Sequence, residues 1–206
     1  MSRADELARG IAQLDLNLAP EVQEKLLTYL ALLQKWNKVY NLTAIRDPQQ
    51  MVSHHLLDSL AVLPHLWPRR WLDVGCGAGL PGLVLAAARP DWSFAMLDSN
   101  SKKTSFVQQA AIEMGLKNVS VHCARVEEFS PAQPFDGIIS RAFAEAADFV
   151  ALTRHLLAPG ARWAAMKGAP EPELARLPSG VAVESNIPLR VPGLDAARSL
   201  VILRAE

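Results

Sequence analysis

Three alternating glycines, Gly75, Gly77 and Gly79, follow the apolar run Trp71-Leu72-Asp73-Val74 and lead through Leu80-Pro81-Gly82 into a second apolar run. A buried strand that ends in such a loop and turns into a helix lets the backbone come very close to a ligand at the carboxyl end of a parallel sheet, and a nucleotide-bearing cofactor is the natural occupant. Asp98 lies 19 positions beyond Gly79, at the end of the next strand-like run. Its carboxylate can accept hydrogen bonds from both ribose hydroxyls of an adenosine, or it can cap the helix that starts near Ser101. The dinucleotide fingerprint asks for glycine at the first, third and sixth positions, and the sixth from Gly75 is Leu80. That speaks against a nicotinamide or flavin cofactor, so a nicotinamide-dependent oxidoreductase stands only as the competing reading from another class.

After the third strand-like run comes Ala124-Arg125-Val126-Glu127-Glu128-Phe129. It places Val126 against an adenine face and Glu127 near its rim, or else it is an exposed charged loop. The fourth run ends in Ser140-Arg141-Ala142-Phe143, where reacting groups sit in such sheets. Methylation of an exocyclic amine calls for Asn or Asp followed by Pro-Pro and an aromatic, which this run lacks. Methylation of a pyrimidine carbon 5 needs a cysteine nucleophile, and neither Cys76 in the glycine loop nor Cys123 on the third strand is placed for it. Arg141 stands there instead. Its planar cation suits a carboxylate or phosphate of a ligand, or an ion pair with Asp73 or Glu145. No catalytic acid or base and no metal-ligand set is identified; His54 and His55 have no acidic or cysteine partner at ligand spacing.

The elements that must position these groups follow from the pattern. Pro20 opens a helix whose apolar residues Leu26, Leu30, Leu33, Trp36 and Tyr40 recur at steps of three and four. A second helix starts with Asp47 as cap, Pro48 at its first position and Gln50 reaching back, and runs to about Leu63, where Pro64 and Pro68 stop it. From Arg70 the spacing predicts strands from Trp71 to Val74, Ser93 to Leu97, Val119 to Cys123, Asp136 to Ser140, Arg162 to Met166, Val181 to Glu184 and Ser199 to Leu203. Helices are expected near Leu80 to Ala88, Lys102 to Met114 and Ala144 to Leu157. This alternation indicates an α/β fold with a doubly wound, mostly parallel seven-stranded sheet. The stretch from Asn186 to Arg198 leaves no room for a crossover helix, so the last two strands should be antiparallel. An N-terminal helical extension, residues 1–69, is expected to pack on a Rossmann-like domain, residues 70–206.

The 206 residues suit about one domain. Two cysteines fit a reduced compartment, the charged start MSRADELARG lacks a signal-peptide core, and the longest near-apolar run, Gly79 to Ala88, falls far short of a membrane span. A soluble cytoplasmic monomer with no membrane contact is expected. The 21 basic and 21 acidic side chains balance overall and nearly so in each third of the chain: eight and seven in residues 1–70, six and seven in 71–141, seven and seven in 142–206. Any nucleic-acid contact must therefore come from a local face built by folding. Candidates are Lys35, Lys38, Arg46, His54 and His55, which surround Trp36 and Tyr40, together with Lys102, Lys103 and Lys167 near the carboxyl edge of the sheet, with the two histidines otherwise read as ordinary helix residues. The two aromatics can stack on bases or serve as core, and the lysines can be a solvated face.

Seven segments in order, WNKVYNLTAIRDP, HHLLDSL, LDVGCGAGLPGLVLA, LDSNSKKTSFV, RVEEF, FDGIISRAFA and MKG, run from residue 36 to residue 168. Together they closely resemble the bacterial small-subunit ribosomal RNA guanine-N7 methyltransferases, also called the glucose-inhibited division protein B family. The resemblance implies the class I methyltransferase fold, S-adenosyl-L-methionine as methyl donor, and a guanosine of 16S RNA, in the 30S subunit or an assembly intermediate, as acceptor. It carries cofactor contacts onto Gly75, Gly77, Leu80, Val126, Glu127 and Arg141, with Asp98 on the ribose. Cys76 stands where many relatives have Ser or Thr, and all three are small. A methyltransferase acting on a small molecule would share the cofactor half and differ only in the acceptor, and a non-catalytic RNA-binding module could keep the fold.

Overall fold

The computed structural model describes residues 1–67 and 69–206; Pro68, expected at the end of the second helix, lies outside them. The chain begins with α1 (Arg3–Gln13) and α2 (Pro20–Tyr40), then a π-helical turn (Val52–Leu57) that runs straight into α3 (Asp58–Leu60). From there strands and helices alternate: β1 (Arg70–Val74), α4 (Gly82–Ala88), β2 (Ser93–Asp98), α5 (Ser101–Glu113), β3 (Val119–Cys123), β4 (Phe135–Arg141) and α6 (Ala146–Thr153). Strand β5 (Leu157–Lys167), the short α7 (Glu171–Leu174), β6 (Val181–Leu189) and β7 (Arg198–Ala205) complete it. The sheet order is β3-β2-β1-β4-β5-β7-β6. Strands β1 to β5 pair in parallel, and β7 inserts antiparallel between β5 and β6, as the short connection over residues 190–197 requires.

Alternation along the strands divides the core between the two faces of the sheet. Trp71, Phe94, Met96, Ile139, Ala164, Leu200 and Ile202 point into one cluster, while Leu72, Val74, Ala95, Leu97, Ile138, Trp163, Val201 and Leu203 point into the other. The first is covered by α4, α5 and the helices before Arg70, the second mainly by α6. Every residue of α4 is buried, which explains why its sequence is apolar all round and shows no stripe.

The N-terminal helices depart from the sequence pattern in three places. α1 stands in the charged start MSRADELARG, for which the sequence predicts no element: Ser2 and Asp5 form a capping box, and Leu7, Gly10 and Ile11 provide a narrow buried face. On α2 the buried stripe is Leu26, Tyr29, Leu30, Leu33 and Asn37; Trp36 lies at its edge and Tyr40 is 42% exposed. The step of four from Leu33 reaches Asn37, whose side-chain amide bonds both backbone groups of Thr43, so a polar residue takes the core position. At the expected start of the second helix Asp47 Oδ1 accepts from Gln49 N at 2.9 Å, but Pro48 to Gln50 form a turn, not a helical start, the Gln50 side chain makes no bond back to the cap among the described residues, and the chain then widens into the π turn. There the Asp58 N–H reaches Ser53 O, five residues back, and His55 O.

Candidate active site

Asp73 near the end of β1 is fully buried, and its Oδ2 accepts from Gly82 N at 2.8 Å, tying the far end of the glycine loop to the strand. Its Oδ1 has no partner among the described residues. Burial pushes its carboxyl well above the usual range, against the opposing effects of the Gly82 N–H and Arg141. Tyr29 of α2 fastens the loop from the other side by donating to Ala78 O at 2.8 Å; burial raises its pKa, so the phenol stays a neutral donor. Gly75 has φ of +62°, and the ring of Phe143 occupies the space where a side chain would begin. Burial also raises the Cys76 thiol, which keeps it from acting as a thiolate nucleophile.

Gly75 opens onto a cavity of about 420 Å³ at the carboxyl edge of the sheet, within the range of small-molecule sites. Gly75, Asp98, Val126, Glu127 and Phe143 line it. Asp98 accepts from Gly77 N (2.9 Å) on Oδ2 and from Asn100 N (2.9 Å) on Oδ1. The helix cap falls to Asn100, whose Oδ1 takes Lys102 N and Lys103 N. The Asp98 carboxylate thus braces the loop and keeps lone pairs for a ligand.

A second cavity, about 490 Å³, adjoins the first, and Ala142 (φ +54°) lines both. Its polar wall includes Thr43, His55, Asp58, Arg141, Lys167 and Arg198. Arg141 pairs with Asp58, Nη1 to Oδ2 at 3.2 Å, and not with Asp73 or Glu145, because the π turn brings Asp58 to the end of β4. His55 is buried, bonds Thr43 Oγ1 through Nε2 at 3.1 Å, and has no partner for Nδ1 among the described residues. Burial first and the Arg141 charge second lower its pKa to about 4, so the ring is neutral near pH 7.

The family model for rRNA small subunit methyltransferase G matches residues 22–201. The chain belongs to this family. It is 53% identical to the ribosomal RNA small subunit methyltransferase G of Laribacter hongkongensis over 98% of this chain and 99% of that protein. It is 56% identical to the protein of the same name from Chromobacterium violaceum, over 95% of each. The fold is similar to that of the N-methyltransferase NodS from Bradyrhizobium japonicum in complex with S-adenosyl-L-homocysteine (TM-score 0.57, 16% identity, 86% of this chain and 98% of that one).

On this member of the rRNA small subunit methyltransferase G family, the residues singled out in the sequence fall in different places. Gly75, Asp98, Val126 and Glu127 line the first cavity, as does Lys103. Gly77 contributes its N–H to Asp98, and Leu80 is buried inside the loop. Arg141 and Lys167 line the second cavity, where Lys167 Nζ bonds Ala144 O (2.6 Å) and Glu173 (2.8 Å), so its charge is partnered. Lys35, Lys38, Arg46 and Lys102 are exposed and line neither cavity. Sequence reasoning missed Asp58, Phe143 and Arg198, and read His55 as an ordinary helix residue where the structure places it in the wall of the second cavity. The available signal was a charged residue amid the apolar stretch HHLLDSL, which a solvent-facing helix does not need.

Proposed function

We propose that this protein transfers the methyl group of S-adenosyl-L-methionine to N7 of a guanosine in 16S rRNA, acting as a monomer in the cytoplasm on the 30S subunit or an assembly intermediate. The observation that carries this reading is the pair of adjoining cavities sharing Ala142. One is suited to an adenosine-bearing cofactor and the other is lined by two arginines. The residues present fit the cofactor: Asp98 has acceptor capacity for ribose hydroxyls, the positive-φ glycine loop allows close backbone approach, and Val126 supplies an apolar wall. S-adenosyl-L-methionine, when bound, supplies an electrophilic methyl group on a sulfonium.

Guanine N7 carries its lone pair in the base plane, so no general base is needed, only an in-line approach held at near-attack distance. Neutral His55, Arg141 and Arg198 would grip the acceptor nucleotide, while Phe143 and the bonded Lys167–Glu173 pair hold the loop around Ala142 between the two cavities. Residues 1–69 act as an extension that supplies Thr43, Ile45, His54, His55 and Asp58 to the wall of the acceptor cavity, the rest coming from the core of residues 70–206. Labelled methyl transfer to 30S subunits lacking the modification, located by borohydride and aniline cleavage, tests the reading. Transfer to a single guanosine is the expected result. Transfer to a metabolite with none to subunits or their RNA would replace it with the small-molecule reading.

A further inference from the structure

We propose that Asp58 is a positioning residue for methyl transfer: one buried carboxylate that holds Arg141 and Arg198 together at the wall of the acceptor cavity. The inference rests on the functional reading above and deepens it. Asp58 has a side chain only 2% exposed, yet it faces two cations from distant parts of the chain. Its Oδ2 receives Arg141 Nη1 at 3.2 Å from the end of β4, and its Oδ1 receives Arg198 Nε at 3.1 Å from the start of β7. The π turn makes this possible. Because the Asp58 N–H goes to Ser53 O and His55 O, it passes over His54 O, and that carbonyl accepts a second bond from Arg141 Nη1 at 3.1 Å. π turns are frequent at functional positions for this kind of re-aiming.

The stoichiometry separates a positioning role from a simple structural ion pair. Two guanidiniums share one carboxylate, which leaves an excess positive charge where a one-to-one pair would leave none. Arg198 anchors Nη1 on Ala197 O, and among the described residues the Nη2 of both arginines has no protein partner. Both arginines line the cavity, so their outer nitrogens are available to hydrogen-bond acceptors of a nucleotide. Without Asp58 the two cations repel each other, and the bonds that set their rotamers are gone.

The test compares wild type with Asp58→Asn, which keeps size and loses charge, and Asp58→Glu, which keeps charge and moves it by one methylene. Because misplacement by about 1 Å costs on the order of 100-fold, both variants should lose ~100-fold in kcat on unmodified 30S subunits. Calorimetric affinity for S-adenosyl-L-homocysteine should stay at the wild-type value. The NMR signal of Arg198 Nε–H should exchange slowly with solvent in wild type and rapidly in Asp58→Asn. Wild-type kcat in a folded variant, or an unchanged exchange rate, would overturn the proposal. So would parallel loss of homocysteine-cofactor affinity in both variants, which marks a structural role. Wild-type protein that binds S-adenosyl-L-homocysteine but methylates no subunit would instead overturn the functional reading, and this inference with it.

Discussion

At the residue scale the site depends on groups whose burial contradicts their polarity, and two of them yield opposite pH dependences. His55 has a folded pKa of about 4 against an ordinary 6.5, so between those values the unfolded chain binds more protons and stability falls as pH drops. The stability that depends on neutral His55 is complete above pH 6.5 and declines by roughly 3 kcal/mol toward pH 4. Asp73 runs the other way: its raised pKa means the folded state holds the extra proton, which favours folding as pH falls. Comparing wild type with His55→Gln isolates the first effect. The advantage of wild type in urea unfolding should shrink between pH 7 and pH 4.5, and an equal advantage at both would refute the neutral buried ring. Gly75→Ala is a second residue-scale case. It meets both the left-handed φ of +62° and the Phe143 ring, so cofactor affinity measured by calorimetry should weaken by about 5- to 30-fold, from a strain on the order of 1–2 kcal/mol.

At the element scale, α1 and the π turn are fastened to each other. Gly10 of α1 is buried against the side chain of Leu57, which is itself buried and has nowhere to swing. Helix propensity alone says that Gly10→Ala should stabilise by about 1 kcal/mol, whereas overpacking says it should destabilise by roughly 1–3 kcal/mol. The second effect should win, as a lower thermal midpoint, because the clash falls inside a packed core. The same contact explains why α1 was illegible in the sequence. Its three buried residues are too few for a periodic signal, and its stability comes from Leu57 and from the Ser2–Asp5 cap. By contrast, β1, β2, β4 and the second half of β5 were legible because they pack on both faces and read as apolar runs bounded by Gly, Pro or charged residues, while the edge strand β3 packs only Val119 and Val121 against the core. Only β5 and β6 are markedly longer than expected, since backbone pairing with neighbours extends them past their apolar centres.

At the scale of the whole molecule, charge balance predicts weak binding to free RNA. With 21 charges of each sign, the protein lacks the bulk positive field of a non-specific binder. Binding to an arbitrary RNA, measured by fluorescence anisotropy, should have a Kd no tighter than about 1 µM and should weaken with salt. A folded, protein-bearing 30S target should bind more tightly, and a salt-insensitive nanomolar complex with arbitrary RNA would contradict the reading. No helix of the described residues is long and apolar enough to cross a membrane. What the sequence by itself determined is the local grammar: strand, glycine loop, helix, and an acidic residue at the end of the next strand, all consecutive or nearly so. Only the tertiary structure decided the second cavity, where Asp58 meets Arg141 and Arg198 across 83 and 140 residues. The reason is physical. Glycine loops and apolar runs act on their own neighbours and leave a period or a motif, whereas charge pairing has neither. Each of the 21 basic side chains had 21 acidic candidates, and it took the π turn lodged against the sheet to bring Asp58 to Arg141 and Arg198.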